Sequence, residues 1–107
     1  MSTDQKLKTQ LGIAKRMVKE VNSYEKEVAT NEARVQKMRD DGKDPYDIRK
    51  QEEVLQESYM MVPDSKARLE SAFEELRATV DACEGEEEVD TAILGEAREL
   101  IGTSSTA

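Results

Sequence analysis

A seven-residue apolar series that passes straight through a proline most constrains what this chain can fold into. Ile48, Leu55, Val62, Leu69, Leu76 and Cys83 recur every seventh residue, and Pro63 stands among them. A helix that ended at Pro63 would have no reason to keep phase on the other side. A new helix with Pro63 in its first turn would take Val62 as its N-cap, and Val is among the poorest caps. One continuous helix, kinked at Pro63, is therefore expected. Its cost is roughly 3 kcal/mol, because the ring cannot donate to the carbonyl of Tyr59 and pushes Val62 away from helical dihedrals.

The preceding half of the chain carries a matching series, Leu7, Ala14, Val21, Val28 and Val35, which Leu11, Met17, Val18, Tyr24 and Met38 widen into a stripe. At Glu25, Asn31 and Glu32 that stripe becomes polar, so the second half of the seam reads as narrower. Ser2 with Gln5 three residues on matches a capping box, with Asp4 at the positive end of the helix dipole. Gly42 is suited to the left-handed position that ends a helix. These signals predict a first helix over about residues 3–40, roughly 55 Å long at 1.5 Å per residue.

Asp44-Pro45 restarts the chain, with Asp as N-cap and Pro at the first helical position, where its missing N–H costs nothing. The second helix is expected from Pro45 to about Glu84. So short a connection permits only an antiparallel hairpin. After Gly85 and the acidic run Glu86-Glu87-Glu88, residues Val89, Ala92, Ile93, Ala97, Leu100 and Ile101 form a last apolar face, with Gly102 as a stop. Gly95 weakens this short third helix by about 1 kcal/mol relative to Ala. The expected fold is all-α, an elongated antiparallel three-helix bundle of coiled-coil type. A single domain would cover residues 1–102, with a disordered tail at 103–107.

Composition narrows the function. With 37% charged and only 4% aromatic residues, the chain suits narrow helical seams better than a deep core. A net charge of -8 argues against nucleic acid, whose phosphates need a basic face. No stretch approaches the roughly 20 apolar residues of a membrane span, and no signal peptide is recognisable. One cysteine, Cys83, allows no internal disulfide and suits a reducing compartment. Without histidine the commonest general base and metal ligand is missing. Asp41-Gly42-Lys43-Asp44 fails as a calcium loop because Lys43 and Pro45 fall where oxygen ligands belong. No catalytic, cofactor-binding or metal residues are assigned, and no small-molecule cofactor is expected.

Two local features point to a protein partner. Lys15, Arg16, Lys19 and Lys26 make the first helix locally basic in an acidic chain. Met60 and Met61 adjoin the seam residue Val62, and two adjacent residues cannot share one narrow stripe, so at least one of them points outward. An exposed Met, or Tyr59, beside the proline is a sign of an apolar docking surface.

The wording of the chain goes further than its period. Lys15-Arg16-Met17-Val18-Lys19-Glu20 and Tyr24-Glu25-Lys26-Glu27 resemble the first-helix signature of the tubulin-binding cofactor A family. Asp44-Pro45-Tyr46-Asp47-Ile48, Gln51 to Ser58, Met60-Met61-Val62-Pro63-Asp64 and Arg68-Leu69-Glu70 resemble its second helix, in one register over roughly residues 6–84. Tyr59 departs from the basic residue expected there. The resemblance implies a cytosolic tubulin-folding cochaperone of three-helix form, and not an enzyme. Such a protein captures near-native β-tubulin after chaperonin release and holds it, without ATP hydrolysis, for αβ heterodimer assembly with other tubulin-folding cofactors. Arg16, Lys19, Tyr24, Lys26, Tyr59, Met60, Met61 and Pro63 are the candidate contacts, in a monomer or a homodimer. The rival reading is a helical adaptor or a coiled-coil dimerisation module that does not bind tubulin. A prefoldin-like subunit is excluded, because residues 41–44 leave no room for β-hairpins.

Overall fold

The computed structural model describes residues 2–83, 85, 86 and 89–104. Among them are three helices and no strand: α1 (Thr3–Asp40), α2 (Pro45–Ala82) and α3 (Thr91–Ser104). Helix α2 runs unbroken through Pro63, as the seven-residue series requires.

Each helix end is explained by local chemistry. At the start of α1 the Ser2 amide donates to Gln5 Oε1 at 3.1 Å and the Gln5 amide donates to Ser2 Oγ at 3.2 Å, a reciprocal capping box. At its end the Gly42 amide donates to the Arg39 carbonyl and the Lys43 amide to the Met38 carbonyl, the paired bonds of a Schellman motif. That motif needs a left-handed residue, and Gly42 has φ 67°. Asp44 then caps α2, its carboxylate accepting from the Tyr46 amide at 2.7 Å.

The chain divides into two compact units, one formed by residues up to Val18 together with those from Arg68 onward, the other by Lys19–Ala67. The first unit holds the continuous core. Leu7, Leu11 and Ala14 of α1 pack with Ala72, Phe73, Leu76 and Val80 of α2, with Cys83 and Val89, and with Leu94 and Ala97 of α3. Leu7, Leu76 and Cys83 are fully buried there. Helix α3 begins at Thr91, later than the acidic run, because Asp90 is its cap: the Asp90 carboxylate accepts from the Ala92 amide at 2.9 Å. The Asp90 amide in turn donates to Asp4 of α1 at 2.9 Å, and Lys15 pairs with Glu96 at 3.1 Å. These two links fix α3 alongside α1 and running in the same sense. Helix α3 continues through Gly102 to Ser104, with the Thr103 hydroxyl donating to the Leu100 carbonyl at 2.7 Å. It therefore enters the stretch expected to be tail; Glu84, Glu87, Glu88 and residues 105–107 lie outside the described residues.

The second unit is a two-helix hairpin. Arg39 pairs with Glu52 at 2.9 Å, and two turns further from the connection Tyr59 donates to Glu32. Stepping back seven residues on α1 matches stepping forward seven on α2, which is antiparallel pairing in heptad register. Val21, Val35 and Asn31 are buried on α1, and Ser58 and Ser65 on α2. Val28, Ile48, Leu55 and Val62 are only half-buried. The stripe turns polar at Asn31 as expected, and that residue is buried in the seam while Glu25 and Glu32 are exposed.

Candidate partner-binding surface

Seam positions fall into two heptad series on each helix. On α2 the apolar series is accompanied, three residues on, by Gln51, Ser58, Ser65, Ala72 and Thr79, the last four of them buried. On α1 the companion series is Gln10, Met17, Tyr24, Asn31 and Met38, all half-buried or buried. Sequence reasoning missed most of the α2 companion series because its residues are small or polar. Its signal was available in the spacing, since each lies three residues after a residue already assigned to the seam. The Ser58 and Ser65 hydroxyls donate to their own helix at Leu55 and Val62, 2.7 and 2.9 Å away, so burial leaves neither unsatisfied. Polar atoms of Gln10 and Gln51 are buried without a partner.

What the seam takes in determines what the other faces show. Every exposed large hydrophobic among the described residues lies in one stretch of α2: Tyr46, Val54, Tyr59, Met60 and Met61. Met60 is 71% exposed and Met61 38%, so both methionines, not one, are presented outward. Pro63 is exposed beside them. Two residues of helix turn through about 200°, so Met60 points nearly opposite to its seam neighbour Val62.

Tyr59 is placed differently. Its hydroxyl is engaged by the Glu32 carboxylate of α1, a bond that raises the phenol above its ordinary value of 10.0, with burial and the Glu32 charge adding to the effect. Tyr24 is half-buried on the α1 side of the seam. Tyr59 thus ties the hairpin together while remaining 40% exposed.

The basic residues lie elsewhere. Lys19 and Lys26 are exposed, each about 200° around α1 from the seam residues Val21 and Val28. They therefore lie on the outward face of α1, while Met60 lies on the outward face of α2. Arg16 is exposed in the first unit. Lys15 is paired with Glu96. The eight candidates do not converge on one point. Met60, Met61 and Pro63 form one patch, Lys19 and Lys26 another, and Tyr59 links the two helices of the hairpin.

No described group of three or more Cys, Asp or Glu side chains is arranged to hold a metal ion, and no described helix is long and apolar enough to cross a membrane. An open cleft in the first unit is lined by Lys6, Gln10, Glu75 and Thr79 among others. Burial pushes the Cys83 thiol above its ordinary value, with the nearby Glu86 and Asp4 carboxylates adding to the shift and Arg98 opposing it. The site is of one kind, outward helix faces that another protein can cover.

These features define an all-α protein of helical-hairpin type. The family model "Tubulin binding cofactor A" matches residues 2–101. Tubulin-folding cofactor A of Arabidopsis thaliana is 43% identical over 101 residues, covering 94% of this chain and 89% of that protein. Tubulin-specific chaperone A of Homo sapiens is 45% identical over 75 residues, 70% of this chain and 69% of that one. The crystal structure of the Arabidopsis thaliana cofactor superposes with a TM-score of 0.87 at 40% identity, covering 98% of this chain and 97% of that one. The structure of human tubulin chaperone cofactor A gives 0.80 at 36% identity, over 97% and 99%. The chain belongs to the tubulin-binding cofactor A family.

Proposed function

We propose that this protein is a non-enzymatic tubulin-folding cochaperone that captures near-native β-tubulin released by the chaperonin. It holds the subunit in the cytosol, without ATP hydrolysis, for transfer to other tubulin-folding cofactors and assembly of the αβ heterodimer. The relatives' names support the tubulin role, and one observation in this chain carries the capture mode: Met60 and Met61 are held outward on a continuous helix. Methionine is unbranched and adaptable, so such a pair can follow an apolar surface that is not yet fully formed. Burying one Met contributes about 1.5–3 kcal/mol, roughly a ten- to hundredfold gain in affinity that remains compatible with release. Lys19 and Lys26, on the other outward face, would engage a different part of the client or steer its approach.

The test is a native-gel or gel-filtration shift with freshly chaperonin-released β-tubulin, with α-tubulin as control. A complex with β-tubulin alone, weakened when Met60 and Met61 are both replaced by Glu while helicity persists, is the expected result. No complex with either subunit, together with a concentration-dependent mass, would replace this reading with a coiled-coil dimerisation module.

A further inference from the structure

We infer that the outward face of α2 takes a basic amphipathic segment of the partner, with Val54, Met60 and Met61 as apolar anchors and Glu53 and Glu57 as its charge-complementary groups. The inference deepens the tubulin-capture reading and rests on it for the identity of the protein that supplies the segment. Residues 46, 50, 53, 54, 57, 60 and 61 recur at three- and four-residue spacing, so they share one side of the helix. All seven are exposed. Tyr46 is 62% and Val54 43% exposed, which extends the apolar strip from Met61 back toward the hairpin connection. At 1.5 Å per residue the strip is about 23 Å long, the length of four helical turns.

Its charges are sorted along its length. Lys50 lies over the Tyr46 ring, 5.5 Å from its centroid, and 3.9 Å from Glu53, so this cation is held within the strip near the connection. Between Glu53 and Met61 the face carries the carboxylates of Glu53 and Glu57 and no cation. Glu57 has no ion-pair partner among the described residues. An apolar strip with carboxylates set into its middle fits a segment whose apolar residues recur at helical spacing and whose flanks carry Lys or Arg. A second copy of this chain fits less well, because its own basic face, at Lys19 and Lys26, has Asn22, Ser23 and Thr30 between and beside the lysines and no large apolar anchors.

The probe is a fluorescein-labelled 18-residue helical peptide of Leu and Lys, with a Leu and Glu peptide of the same apolar face as its counterpart, followed by fluorescence anisotropy. The Leu/Lys peptide should bind and its counterpart should not. Val54→Ser and Met60→Ser should each weaken binding several-fold, and Glu53→Lys with Glu57→Lys should weaken it about tenfold or more. Asp81→Lys with Glu99→Lys makes the same change in net charge on exposed positions outside the strip and should leave affinity within about twofold. Circular dichroism confirms that each variant remains helical. Equal losses from the two charge pairs, or no peptide binding at all, would overturn the inference. So would strip variants that change the mass of the free chain, because the occupant would then be a second copy. A chain that binds the peptide through the strip yet shifts no β-tubulin would sink the capture reading and leave the chemistry of the strip standing.

Discussion

The Tyr59 hydroxyl donates a hydrogen bond to the Glu32 carboxylate, tying the middle of α2 to α1 across the hairpin. The bond favours the neutral phenol and raises its pKa in the folded chain above the ordinary 10.0. The sign follows directly. A raised folded-state value gives stabilisation that is fully present below the unfolded pKa and is lost as pH rises through the folded one. Tyr59→Phe should therefore lower the melting temperature at neutral pH, and the difference from wild type should shrink above pH 10. Tyr59→Arg should retain the tie as an ion pair to Glu32, now sensitive to salt. Thermal melts from pH 7 to 11, with and without added salt, check all three expectations.

The two units differ in how completely their seams are filled. Leu76 is fully buried in the first unit, whereas Leu55, at the equivalent heptad position in the second, is half-buried. Leu76→Ala should cost about 2–5 kcal/mol, and Leu55→Ala distinctly less, because solvent already reaches its side chain. Urea unfolding of both variants measures the difference. Equal losses would show that the hairpin seam is as tightly closed as the core.

Helix number, both long helices and the continuity at Pro63 were legible in the sequence because apolar heptads and caps are strong local signals. Gln5, Gly42 and Asp44 act where their chemistry places them. The start of α3 was harder to read. It is set by Asp90, which combines a capping carboxylate with a backbone anchor to Asp4. That anchor is 86 residues distant in sequence, and no local pattern encodes it. The tie from Tyr59 to Glu32 was out of reach for a similar reason, since the two residues are 27 apart in sequence. Period alone, in contrast, required that at least one of Met60 and Met61 point outward, and the structure exposes both.

Cys83 is 2% exposed, and burial raises its thiol pKa. Thiolate is the reactive form, so both effects slow its chemistry. In the native protein a disulfide reagent such as DTNB should modify Cys83 far more slowly than a free thiol at the same pH. Denaturant should restore rapid modification, with a midpoint matching loss of helicity. Fast modification without denaturant would contradict the burial of Cys83 in the core.

The glycines separate into two groups. Gly12 and Gly95 lie within helices with open space where a Cβ would stand. Replacing either with Ala should stabilise the protein by about 1 kcal/mol. Gly42 also has open space, but its φ of 67° disfavours any L side chain. Gly42→Ala should instead destabilise by about 1 kcal/mol. Melting curves that moved the same way for all three would contradict the assignment of Gly42 to the Schellman turn.

Pro63 tests whether stability has been given up for contact geometry. The ring removes one hydrogen bond from the interior of α2 at an exposed position, so Pro63→Ala should raise stability, by up to about 3 kcal/mol. Ser58 and Ser65 hydrogen-bond to their own helix on either side of it, an arrangement that favours bending. Met60 and Met61 lie within one turn of the ring, and straightening α2 there would change the direction in which they project. The expected outcome is a more stable protein that captures β-tubulin less well in the gel-shift assay. A variant with higher melting temperature and undiminished capture would show that the proline shapes only the path of α2 along α1.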